Sequence, residues 1–205
     1  ASLLSLRPKP AFSRNPASGS SGISSSIATS PLQARKGVRV QRLAVPEQGA
    51  LVAWHDGPNV IVASRDTLTP VLQEPLAGVQ KLALTDRWLV WRSGLEIRVQ
   101  PLSDPTRSAL VVKAKRFAEL GRPALDGDLV VYHYATPAGS WLTTVNVATG
   151  ARTRVRFSKD AQLLNPSLLG GSILYVRASR CAQELRLGPL HGGKERVLYE
   201  LPPLA

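Results

Sequence analysis

Three histidines, one cysteine and a few carboxylates are the residues that acid–base or metal chemistry would need. His55, His133 and His191 fall in segments rich in turn residues, and Asp56 directly follows His55. His55 and His133 each stand one place after an aromatic, Trp54 and Tyr132, so their loops are expected to share a rim. Proton transfer there needs a carboxylate, and a metal needs a third ligand. Asp56 is the nearest candidate for either role. No His-x-x-x-His pair, cysteine cluster, glycine-rich phosphate loop or Gly-x-Ser-x-Gly elbow is present; Gly19-Ser20-Ser21-Gly22 is one residue short. The single Cys181 excludes an intrachain disulfide and reads as a small buried or half-buried residue rather than a reactive thiol. No catalytic residue, metal or cofactor is assigned.

Charge points elsewhere. Lys and Arg number 26 against 14 Asp and Glu in 205 residues, a formal net charge of +12. Such a field favours anionic partners. A plainer source is a general habit of composition, visible also in the abundance of Ala, Leu, Gly and Pro. Arg92, Lys115, Arg116, Arg122, His133, Lys159, Arg177 and Arg180 lie in segments that read as loops on one face, with Tyr134 and Trp141 beside them. Cations interleaved with aromatics form an anion-binding surface with stacking platforms. Ion pairs to Glu119, Asp126 or Asp160 would cancel part of its field. No run reaches the roughly 18 apolar residues of a membrane-spanning helix.

The elements that must position these residues are short strands. In the stretch 122–157, brief apolar runs at Pro123-Ala124-Leu125, Leu129–Tyr132, Trp141–Val147 and Thr153–Phe157 are separated by turns at Asp126-Gly127-Asp128 and Ala148-Thr149-Gly150. The segment His133–Ser140 contains Thr136-Pro137-Ala138-Gly139 and is expected to leave the ladder as a long loop. The plan recurs. The first unit is Gln41–Val45, Ala50–Trp54, Asn59–Ala63 and Pro70–Gln73. The second is Gln80–Leu84, Trp88–Arg92, Leu95–Gln100 and Ala109–Lys113. The fourth is Pro166–Leu169, Ser172–Val176, Glu184–Leu187 and Glu195–Tyr199. Trp54, Trp91, Tyr132 and Tyr175 end or nearly end the second strand of each unit, at intervals of about 40 residues. Four-stranded units at this period predict an all-β, β-propeller-like fold of about four blades, either small or part of a larger propeller. The repeated ring is expected to pack between adjacent sheets.

The residues Arg122-Pro123-Ala124-Leu125-Asp126-Gly127-Asp128-Leu129-Val130-Val131-Tyr132 resemble the TolB-like, or WD40-like, propeller repeat: a proline, an Asp-Gly turn, then an apolar strand ending in an aromatic. Val145–Gly150 is similar to its later strand and Asp-x-x-Thr-Gly turn, with Asn146 in place of Asp, and Asn165–Tyr175 is a weaker copy. The first two units lack the Pro and the Asp-Gly turn. The resemblance covers about residues 41–200 and implies an architecture whose members do unrelated jobs.

Residues 1–37 are serine-rich and free of Asp and Glu, so residues 1–40 read as a basic low-complexity arm or linker and 41–205 as the repeat domain. With no methionine in the sequence, Ala1 is expected to follow a processed or excised segment. The leading expectation is a non-enzymatic binding or scaffold propeller for a protein partner, secreted, periplasmic or in the cell envelope. The alternatives are a propeller lyase or hydrolase acting on an anionic polysaccharide, with His55 or His133 near its site, and a basic nucleic-acid-associated protein.

Overall fold

The computed structural model describes residues 43–44 and 49–201, and every strand among them belongs to the unit Lys36–Ala205. The expected arm, residues 1–40, lies outside the described residues. Four antiparallel sheets follow one another along the chain. The first holds β1 (Leu43–Ala44), β2 (Leu51–Asp56), β3 (Asn59–Ser64) and β4 (Pro70–Pro75). The second holds β5 (Val79–Leu84), β6 (Trp88–Ser93), β7 (Glu96–Pro101) and β8 (Ala109–Lys113). In the third, β9 (Glu119–Leu120) and β10 (Ala124–Asp126) both pair with β11 (Leu129–Thr136), followed by β12 (Gly139–Asn146) and β13 (Arg152–Ser158). The fourth holds β14 (Gln162–Leu169), β15 (Ser172–Ala178), β16 (Gln183–Pro189) and β17 (Arg196–Leu201). The predicted β-propeller-like architecture of four blade-like meanders is what the chain adopts.

Each pair of successive sheets encloses an apolar core. Ala53, Val60 and Val62 of the first sheet meet Val79, Leu89 and Trp91 of the second. Val90, Ile97, Val99 and Val111 meet Leu120, Val130, Tyr132 and Val145. Val131 and Leu142 meet Leu163, Ile173 and Tyr175. The repeated aromatic therefore has the position expected of it: Trp91, Tyr132 and Tyr175 are all buried against the preceding sheet. Burying such a ring removes 150–250 Å² from water, roughly 4–6 kcal/mol at 25 cal/mol/Å² before entropy is counted. Among the described residues the fourth sheet shows no comparable packing against the first.

The last strand of every sheet carries a bulge, at the same place relative to the repeated ring in the second, third and fourth sheets and two residues away from it in the first. One residue has no cross-strand partner: Val71, Val111, Val155 and Leu198. A bulge adds twist and spoils an edge for further pairing. The expected long loop at His133–Ser140 is a correction to the sequence reading. β11 runs to Thr136 and β12 starts at Gly139, leaving a two-residue turn, Pro137-Ala138. Pro137 sits in the turn itself, where no ladder hydrogen bond is lost, and the Thr136 hydroxyl accepts from the Ala138 N–H at 3.2 Å.

Candidate functional site

The turns β2–β3, β6–β7, β11–β12 and β15–β16 share a rim with the connections between sheets, because hairpin turns alternate ends in a meander. The expected site residues divide here between two seams. At the seam of the second and third sheets, Tyr134 on β11 stands directly opposite Trp141 on β12, which stands opposite Phe157 on β13. The ring centroids are 6.1 Å apart for Tyr134–Trp141 and 5.4 Å for Trp141–Phe157, a tilted aromatic ladder across three strands. Phe157 is 58% exposed, and Arg154 lies 5.6 Å from the Trp141 ring centroid. The outer end of the ladder fits because Gly139 has no side chain. A Cβ there would come within 2.5 Å of the Phe157 ring, and φ is +144°.

The connection from the second sheet adjoins this ladder, since β9 pairs with β11 at Tyr134 and Ala135. Ala114 and Ala118 are buried at its two ends, and the Ala118 N–H donates to the Lys115 carbonyl at 2.9 Å. The tight turn between them lifts Lys115, Arg116 and Phe117 into solvent, with Phe117 84% exposed. The Arg116 guanidinium lies 5.5 Å from the Phe117 ring centroid. Among the described residues, neither Lys115, Arg116, Arg122 nor Arg154 takes part in an ion pair. A large apolar ring kept in water between free cations is a feature that folding does not require.

At the seam of the third and fourth sheets an open cleft of about 490 Å³ is lined by Lys159, Asp160, Ser179, Arg180 and Cys181. Cys181 is a free, exposed thiol rather than a buried or half-buried one. Asp160 accepts from Ser158 at 2.8 Å and pairs with Arg177 at 3.1 Å. The Ser158 hydroxyl first, then the local backbone and Arg177, hold its carboxyl below the usual range. Arg177 is thus engaged on β15 rather than free in a loop, and it also faces Glu184 at 3.7 Å.

Two expected site residues are corrected outright. His133 is not in a turn; it lies in β11 and is 1% exposed. Its ring packs over Gly121, where a Cβ would come within 2.8 Å of the His133 Cβ. Its Nε2 has no hydrogen-bond partner among the described residues. Burial lowers the imidazole pKa, opposed by Glu119 and helped by Arg92, so the ring is neutral inside the fold. Arg92 lies in β6 and donates to the Leu120 carbonyl of the next sheet and to the Gly94 carbonyl. The first of these bonds ties the second sheet to the third, and the other stays within its own hairpin.

Arginine fastens other seams too. Arg152 donates to the Val111 carbonyl of the second sheet at 2.5 Å. Arg156 of the third sheet donates to Glu195 and to the Pro189 carbonyl of the fourth. Glu195 also accepts from the Tyr175 hydroxyl at 2.7 Å and from Arg186 at 3.3 Å. Burial alone would raise the Glu195 carboxyl, but these donors outweigh it and hold the pKa below the ordinary range. Burial, with the same carboxylate beside it, pushes Tyr175 up to about 12. At the other rim Asp128 accepts from the Trp88 indole N–H at 2.7 Å and pairs with Arg87 at 3.0 Å. Sequence reasoning missed Arg154, Phe117 and Phe157 at the rim, and Glu195 as a hub. Their signal was the register of β11–β13, which places Phe157 beside Trp141. No group of three or more metal-ligating side chains occurs among the described residues.

No family model matches the sequence, and no curated protein matches it. Solved structures do. TolB from Acinetobacter baumannii superposes with a TM-score of 0.60 at 12% identity, over 81% of this chain and 44% of that one. The fold is that of a β-propeller. A chain of the Nidogen/Laminin complex matches with a TM-score of 0.54 at 16% identity, over 76% of this chain and 63% of that one. Oligogalacturonate lyase in complex with manganese matches with a TM-score of 0.53 at 15% identity, over 75% and 51%. This β-propeller chain spans less than two thirds of each neighbour. The neighbours include a chain from a protein complex and a lyase, so the likeness carries the fold and no activity.

Proposed function

We propose that the chain is a non-enzymatic binding module that docks an acidic segment of a protein partner at the seam of the second and third sheets. The observation that carries this reading is the aromatic ladder Tyr134–Trp141–Phe157 with Arg154 against it, adjoining the lifted Lys115-Arg116-Phe117 turn. Aromatic rings and arginines are the side chains that concentrate energy at protein interfaces. Free cations around them steer an acidic partner and set its orientation. A setting in the cell envelope or outside the cell goes with this reading. The burial of His133 weighs against an acid–base role for it on a macromolecular substrate.

The test is direct binding of immobilised Asp- and Glu-rich peptides with interspersed aliphatic residues, beside single-stranded DNA and an acidic glycan. Peptide binding is expected to weaken as salt rises, and to fall about 10- to 100-fold in Trp141→Ala and in the pair Lys115→Glu, Arg116→Glu. Peptide affinity unchanged in both variants refutes the site. Tighter binding to DNA or to the glycan, lost in the same variants, refutes the partner class.

A further inference from the structure

The three seams inside the chain are built alike, and the same rule leaves two faces without a described neighbour. In each seam the later sheet contributes its ring, Trp91, Tyr132 or Tyr175, and the earlier sheet contributes small and branched apolar side chains. In the third sheet those side chains are Val131 and Leu142, both fully buried, and the bulge residue Val155. Register puts Leu174, Leu185 and Leu198 in the same places of the fourth sheet. There Leu174 and Leu185 are only half-buried, and Leu198 is 47% exposed. Their face is continued by Val176 and Leu187, also half-buried, and these five side chains carry no charge. At the other end, Trp54 holds in the first sheet the place of the three buried rings. It is half-buried, as is Ile61 opposite it, and no described sheet precedes it.

We propose that the leucine face of the fourth sheet receives the Trp54 face of a second copy, head to tail, by the packing that joins successive sheets within the chain. One molecule carries both halves of such a seam, so a second copy supplies each face with the complement that the repeat uses inside the chain, and Arg196 at the edge of the leucine face and Asp56 at the edge of the Trp54 face are of opposite charge. The contact is heterologous; two copies that make it twice close on each other, and copies that make it once extend. Because the contact is apolar while each copy bears +12, salt strengthens the association by screening repulsion.

Sedimentation velocity of the full chain, across a concentration series at low and high salt, tests this. The wild type is expected to associate, more strongly at high salt. Leu185→Glu and Trp54→Glu are each expected to sediment as monomers, with circular dichroism confirming the fold; Ile61→Lys replaces Trp54→Glu if that variant unfolds. An equimolar mixture of the two variants is expected to recover dimer at high concentration, since each supplies the face the other has lost. A wild type that stays monomeric at both salts overturns the proposal. So does a Trp54→Glu or Ile61→Lys chain that associates like the wild type, which would mean that leucine faces pair with each other.

Discussion

Glu195→Gln isolates the charge at the centre of the seam between the third and fourth sheets. The Glu195 side chain is 18% exposed and that of Arg156 is 12% exposed, so their interaction is screened far less than a surface pair. Three donors converge on this carboxylate: Arg156, the Tyr175 hydroxyl and Arg186. Removing one partner of a buried ion pair typically costs about 3–5 kcal/mol. Glutamine keeps an acceptor oxygen, and Arg186 keeps Glu184 at 2.8 Å, so the expected loss is about 2–3 kcal/mol at neutral pH. Tyr175→Phe removes a single hydrogen bond and should cost about 1 kcal/mol. Urea unfolding followed by circular dichroism measures both, and the double variant should show coupling of about 0.5 kcal/mol or more. The pH dependence follows from the lowered Glu195 pKa. A carboxylate with a depressed folded pKa contributes stability above its ordinary value of 4.5, and loses it as pH falls through the folded pKa below that. Wild type and Glu195→Gln should therefore differ at pH 7 and converge in acid. A loss under about 0.5 kcal/mol at pH 7, the value of an exposed pair, would refute the account of this seam. So would a difference that persists unchanged at pH 3.

Three further outcomes rest on single contacts. Burial holds His133 neutral below its ordinary value of 6.5, so the fold loses stability as pH falls from there, by at most about 1.4 kcal/mol per pH unit. His133→Leu should flatten thermal midpoints between pH 7.5 and pH 5, and parallel curves for the two proteins would contradict this. Gly139→Ala forces a Cβ toward the Phe157 ring and the Ser158 carbonyl at a φ that only glycine adopts readily, costing about 1–3 kcal/mol by urea titration. Asp128→Ala frees the Trp88 indole N–H and Arg87, and should lower stability by about 1–2 kcal/mol in the same assay; no change would mean that the opposite rim is held by apolar packing alone.

Much of this fold is legible in the sequence, because period and turn chemistry act locally. Asp126-Gly127-Asp128 and Ala148-Thr149-Gly150 turn where they are expected to, and the rings at Trp91, Tyr132 and Tyr175 identify the buried side of three sheets before any packing is known. The departures at residues 133–140 have one cause. Pro137 and Gly139 are residues of a loop by type, yet two residues suffice for the turn when both flanking strands carry aromatics able to pair. Strand alternation from Val131 sends His133 inward with that valine once β11 continues past Tyr132.

The arginines show why a charge count alone cannot locate a site. Arg92, Arg152 and Arg156 each send a guanidinium across a seam to a carbonyl or carboxylate of the neighbouring sheet. A four-stranded meander leaves such acceptors along its bulged last strand and around its turns, and a fork of five donors reaches them better than lysine does. Part of the +12 is therefore structural, and only cations without such partners are available to a ligand. At the seam of the second and third sheets those are Lys115, Arg116 and Arg154. They stand beside the ladder Tyr134–Trp141–Phe157, in a repeat that elsewhere buries a single ring of this kind in each seam. The departure from the repeat and the unpaired charge coincide there, although each follows from a different part of the sequence.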